Sequence, residues 1–385
     1  MGSTLFNTTP ASTYPSLLKV TDNTALTNVL KTISDGAGSD TVLQLSTKRI
    51  GLLADSAVTT QATSIVQATS TNANLALVPN GIGAIVASIP DGTATGGNAR
   101  GSYAVDLQMI RSAATQVAGG SYSFVIGNGN TAIGSGVIAI GDTNYVSGGE
   151  SSAAIGKQNT ISNFRAFAIG ASHSVSGLSG VALGRQNTVS GAYAFSMGYA
   201  NQATSDYSMA LGSQSTASLY GSIVNANGIF AYQGDAQVIK LLARKEAILT
   251  SASLTKLSLD GTGTTNLINF GFAPAHTVSM RVNITWSAGV NDPLTSGLIK
   301  GDCISQTDQI MIKKLGGGNL SIVGLKTVIA TNSDASMSTC VMNYSVNGYG
   351  ELILELQAPS FVGGGNLKIR VLANLEATQC IVAPF

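Results

Sequence analysis

Nineteen carboxylates and two imidazoles are all the general acid–base equipment these 385 residues carry. Glycoside cleavage needs two carboxyl groups a few ångströms apart, one of them protonated. Between residues 121 and 219 the acids are Asp142, Glu150 and Asp206, which stand at different offsets and far apart along the chain. Beyond residue 240, Asp260, Asp292, Asp302, Asp308, Asp334, Glu351 and Glu355 stand largely among turn residues, where carboxylates cap the backbone. No GxSxG elbow offers a nucleophile to His173 or His276. LGGGN (315–319) and VGGGN (362–366) lack the Lys-Ser/Thr that follows a phosphate-binding loop, so they read as hairpin connections. Cys303, Cys340 and Cys380 form no CxxC pair, which argues against a structural zinc and for three free thiols. This inventory predicts no enzymatic activity, no metal and no cofactor.

The bulk numbers point the same way. Gly supplies 45 residues and charged residues 10%, while mean hydropathy is +0.26. Small apolar residues interleaved with Ser, Thr and Asn suit stacked β structure better than helix bundles. The net charge of +1 carries no basic stripe, which excludes electrostatic nucleic-acid binding. MGSTLFNTTP shows neither a secretory h-region nor a myristoylation pattern, and no apolar run is long enough to span a bilayer. Synthesis in a cytosol without membrane insertion is expected.

The elements that must position any site follow a ruler. Apolar triplets end in glycine at Gly127, Gly141, Gly156, Gly170, Gly184, Gly198 and Gly212, spaced by 14 residues except for one interval of 15. Three residues after each glycine come Asn130, Asn144, Asn159, His173, Asn187, Asn201 and Ser215, and five after comes a small aliphatic. Each period holds two short strands and two turns, one coil of a parallel β-roll. Seven coils at the strand spacing make a rod of roughly 34 Å. The glycines belong at sharp turns or close approaches. The Asn column belongs in a side-chain ladder, with His173 stacked in it. The extra residue fits at the Gly149 turn. So thin a coil leaves its large residues, such as Phe124, Phe167 and Phe195, poorly covered, and threefold assembly is the natural closure.

The S-x-A-x-G and N-x-A/V-S-G pattern at this period, over residues 121–219, resembles the head of the YadA-like trimeric autotransporter adhesins, a left-handed parallel β-roll. The signal peptide, coiled-coil stalk and membrane strands of that family have no counterpart here. TTPASTYPSLLKV (8–20), DGTATGGNARGSYAVDLQ (91–108), GDAQ (234–237) and GLIK (297–300) are similar to segments of tail-fibre and appendage proteins of tailed bacteriophages. That resemblance implies a homotrimeric fibre assembled in the host cytoplasm. It would dock on a tail or baseplate protein through its N-terminal region and bind a cell-surface glycan or protein through its C-terminal domain. Rival readings are a virion decoration without receptor contact, a polysaccharide depolymerase and a bacterial adhesin.

The expected organisation is all-β. Residues 1–110 form a docking and shaft region with a short helix at 24–33 and strands at 42–53 and 74–90. Residues 111–222 form the roll and 223–240 a transition. In 241–385, alternating runs such as VSMRVNITW (278–286), ELILELQ (351–357) and LKIRVLANL (367–375), separated by turn signals, predict an antiparallel sandwich. Trp286 reads as core and His276 as a turn residue. Receptor contact is expected in the sandwich loops, at Asn291, Asp292, Asn332, Asp334, Tyr344, Asn347, Tyr349 and Phe361.

Overall fold

The computed structural model describes residues 18–20, 22, 24–35, 37, 39–47, 50–52, 77, 79–270, 277–314, 319–361 and 365–382. The chain divides into two compact units, 1–78 and 79–385. In the first, Lys19–Val20, Lys31–Ser34, Asp40–Leu45 and Ile50–Leu52 pair antiparallel in chain order. The helix expected at 24–33 does not form, because its last residues are a strand paired on both sides. Asp22 accepts the Thr24 N–H and hydroxyl, which closes a turn instead. The β-branched Thr27, Val29, Thr32 and Ile33 favour extension.

The second unit contains the predicted parallel solenoid, of about eight turns. Five-residue strands from Phe124–Asn128 to Ile223–Asn227 stack in register, so that each repeat glycine from Gly127 to Gly198 pairs with the next. Two-residue strands from Thr131–Ala132 to Thr216–Ala217 form the opposite wall. The interior is filled by the residue two before each glycine (Val125, Ala139, Ala154, Ala168, Ala182, Ser196, Ala210) and by the aliphatic five after it, all at most 1% exposed. Small residues are required because the two walls are close.

Each coil turns through left-handed residues two and nine positions after the glycine (ten in the coil with the extra residue), for example Gln158 (φ 56°) and Arg165 (φ 55°). The glycines themselves have φ between 87° and 125°. A Cβ on any of them would lie 1.8–2.3 Å from the carbonyl oxygen of the next coil, so glycine is demanded twice over.

The roll begins earlier than its repeats, since Val105–Ile110 already pairs in parallel with Phe124–Asn128. Its first end is closed by Asp106, fully buried between Arg100 (2.7 Å) and Arg111 (3.3 Å). At the other end the last coil leads directly into the terminal domain. Ile223–Asn227 pairs antiparallel with Ala236–Thr250, covering a sheet edge that would otherwise stay open.

One sheet therefore continues from the coils into the terminal domain. It runs through Ala236–Thr250, Asn366–Val382, Thr277–Asp292 and Cys303–Lys314 to the edge strand Ser321–Ser333. A second sheet of Leu254–Lys256, Leu352–Gln357 and Val341–Val346 packs on one face. Trp286, Met280, Ile284 and Ile310 of the first sheet share a core with Met342, Leu352, Leu354 and Leu356 of the second. The expected antiparallel pair of sheets is present.

Candidate ligand-binding surface of the terminal sheet

Strand register shows which loops meet. Thr250 pairs with Asn366, Asp292 with Lys368, Gly289 with Cys303 and Ile304 with Ser333. The loops beginning at 251, 293, 334 and 358 thus gather at the sheet end remote from Ala236. Hydrogen bonds tie them together. Asn366 donates its N–H to Thr295 Oγ1 (2.9 Å), Ser336 its hydroxyl to Asp302 Oδ2 (2.6 Å) and Phe361 its N–H to Ser251 Oγ (2.9 Å). Asp334 Oδ2 accepts the Cys303 N–H (2.8 Å), and Asp292 Oδ1 accepts that of Leu294 (3.0 Å). Asn291 is half-buried, and Asn332 is exposed in the edge strand.

The structure thus brings Asn291, Asp292, Asn332, Asp334 and Phe361 to one end of the sheet. Phe361 is half-buried against the core. Asn347 and Tyr349 sit apart, in the turn between Val341–Val346 and Leu352–Gln357. There Asn347 Oδ1 accepts the N–H groups of Tyr349 and Glu351, both at 3.0 Å, and Tyr349 projects 86% exposed.

Tyr344 is not a loop residue, as the sequence reading held. It lies in a strand and donates its hydroxyl to Asp308 Oδ2 at 2.7 Å. Trp286 Nε1–H and Gln306 Nε2–H donate to the same carboxylate at 3.0 and 2.7 Å. Burial, then the Asp308 hydrogen bond, push the phenol far above its ordinary range. Trp286 is core, as expected. The signal for this network was the position of Asp308 on the inward phase of its strand, between Ile304, Ile310 and Ile312.

On the outer face, a cavity of about 620 Å³ is lined by Arg244, Glu246, Asp260, Ser287, Cys303, Arg370 and Leu372, among others. Glu246 pairs with Lys368 (2.8 Å) and Arg370, and the Lys368 hydrogen bond foremost holds its carboxyl below the usual range. Desolvation pushes the Asp260 carboxyl up. Hydrogen bonds from Ser258, Thr265 and Thr262 outweigh it and hold the group well below the usual range. Both acids are therefore ionised near neutral pH, and Glu246 already holds the Lys368 and Arg370 cations.

Along the roll, Asn144 donates its backbone and side-chain N–H groups to Asn130 Oδ1 (2.9 and 3.0 Å), and Asn159 repeats the contact to Asn144. His173 takes an Asn place. Its Nδ1 accepts the Asn187 N–H (3.1 Å) and its Nε2–H donates to the Ile169 carbonyl (3.0 Å), the tautomer this network requires. Burial lowers its pKa. The ladder continues from Asn187 to Asn201 and Ser215. Gln237 of GDAQ then caps Thr216, and Asp235 accepts three backbone N–H groups from Phe230, Ala231 and Tyr232.

Cys303 and Cys340 are free thiols, the latter raised to about 12 by burial. The Cys380 side chain and His276 lie outside the described residues. Among the described residues no group of His, Cys, Asp and Glu could hold a metal, and no helix is long and apolar enough to cross a membrane.

No family model and no curated protein matches the chain. Among solved structures it is similar to the tailspike protein of Acinetobacter baumannii phage AM24, at 10% identity and a TM-score of 0.23. The match covers 78% of this chain and 54% of that one, so the chain spans about half the tailspike's length. The expectation that the chain is not an enzyme is corrected by this finding: the solved protein it is similar to is a tailspike, and the chain is not assigned to the non-enzymes.

Proposed function

We propose that the chain is a homotrimeric appendage of a phage tail. Its N-terminal part docks on the virion, its roll is a rigid spacer, and its terminal sheet domain engages the bacterial surface through the gathered loops. One observation carries the assembly. On the wall of five-residue strands, the residues one and three before the repeat glycine point outward: Ile138, Ile169 and Met197 are 37%, 39% and 46% exposed and Phe124, Phe167 and Phe195 are half-buried, while the residue between them lies inside. An outward column of Phe, Ile and Met along the whole rod asks for cover, and identical copies supply it by symmetry. Three terminal domains per fibre then add avidity to contacts that are individually weak.

Sedimentation of the full chain is expected to give about three times 39.0 kDa, and added protein is expected to slow adsorption of the virion that carries it. A stable monomer would remove the assembly, and undiminished adsorption at saturating protein would remove the receptor role. Cutting of the bound polysaccharide is a second reading: Glu246 and Asp260 line one cavity where, both being ionised, they would serve as nucleophile or base, and the proton for the leaving oxygen would have to come from another group. It would show as a shortened polysaccharide, lost in Glu246→Gln.

A further inference from the structure

Seven coils place an aliphatic residue just before the repeat glycine: Ile126, Ile140, Ile155, Ile169, Leu183, Met197 and Leu211. The eighth breaks the column. Asn225 stands in register with Leu211, and Ala226 with Gly212. Asn225 and Asn227 are exposed, whereas Val224 and Ala226, which alternate with them, face inward and are buried. The break therefore changes the surface and leaves the interior intact.

That surface is concave. A cavity of about 430 Å³ opens where the last coil meets the first long strands, lined by Asn225, Asn227, Phe230, Val238, Thr378 and Gln379, among others. The volume lies in the range of small-molecule sites. Phe230 is 75% exposed, yet its loop is fixed, because the buried Asp235 carboxylate accepts the N–H groups of Phe230 (2.9 Å), Ala231 (2.6 Å) and Tyr232 (2.7 Å). Gln237 and Gln379 are hydrogen-bonded to each other and to the backbone. The side chains of Asn225, Asn227 and Thr378 make no hydrogen bond among the described residues.

We propose that this junction cavity binds an uncharged saccharide. No charged side chain lines it, so neither an anion nor a cation finds a counter-charge. Two amides and a hydroxyl offer donors and acceptors together, as sugar hydroxyls require, since each both gives and takes a hydrogen bond. The exposed Phe230 ring presents a negative face to the C–H groups of a pyranose. The site is distinct from the gathered loops, and direct binding to the purified chain tests it whatever the outcome of adsorption experiments.

The experiment is saturation-transfer NMR on the full-length protein. The panel consists of uncharged oligosaccharides of glucose, galactose, mannose, rhamnose and N-acetylglucosamine, with glucuronate oligomers as charged controls. At least one uncharged member is expected to bind, with affinity falling tenfold or more in Phe230→Ala and in Asn225→Leu. The second variant restores the residue type of the other coils, so its fold is safeguarded by the repeat itself. No binding by any uncharged member, or binding that survives in either variant, overturns the proposal.

Discussion

Replacing Gly170 by alanine tests the coil geometry most directly. Gly170 has φ 125°, and its Cβ would sit 1.8 Å from the Gly184 carbonyl oxygen. A side chain in that conformation costs about 1–3 kcal/mol. Relieving the overlap also means parting two coils, which sacrifices contacts such as the Phe167 N–H to the Gly180 carbonyl (2.9 Å) and the Gln186 N–H to the Ala171 carbonyl (2.8 Å). At about 1 kcal/mol each, these bring the loss to about 3–5 kcal/mol. Gly136 is the internal control. Its φ is 63° with nothing within 4 Å of a Cβ, and the same place in other coils holds Tyr122, Ser151 and Arg165 at φ 55–61°. Gly136→Ala should cost about 1–2 kcal/mol, the ordinary cost of a left-handed L-residue with no overlap to relieve. Urea unfolding, with amide exchange read in the coils on either side, measures both. Equal losses in the two variants, or an unchanged midpoint in Gly170→Ala, would refute the close stacking of the repeat glycines.

His173→Asn is expected to retain the ladder and flatten the acid side of the stability profile. Because folding lowers the His173 pKa from 6.5, the unfolded chain binds the proton more readily. The contribution is whole above about pH 6.5 and falls as pH drops toward the folded value, by up to about 1.4 kcal/mol per unit; identical profiles for parent and variant in thermal melts would contradict this. Asp106→Ala leaves the Arg100 and Arg111 guanidinium groups buried without their counter-charge and should cost about 3–5 kcal/mol in urea unfolding, with the loss centred on the first coils. Tyr344→Phe removes one donor from Asp308 and should cost about 1.5–3 kcal/mol, read from the fluorescence of Trp286, which donates to the same carboxylate; an unchanged midpoint would place the hydroxyl outside the network.

The roll was legible because its constraints repeat. A glycine needed both for its dihedral angle and for the approach of the next coil leaves a mark at every period, and an asparagine that must satisfy the coils above and below leaves another. The merging of roll and terminal domain was not legible, since it depends on pairing Ala236–Thr250 with Asn366–Val382 across more than a hundred residues, and strand partners leave no local trace. Tyr344 was misplaced for a different reason. Its neighbours in sequence are turn-forming, but its phase within VMNYSV is that of the buried Met342, and phase decides which face a side chain takes. The same argument separates the polar residues of this chain into two kinds. Asp308 interrupts an apolar phase that points inward, so it must be satisfied by protein donors, and Trp286, Gln306 and Tyr344 provide them. Asn225 interrupts an apolar phase that points outward, where no fold requirement calls for an amide, and the explanation for such a residue has to be sought in what reaches that surface from outside.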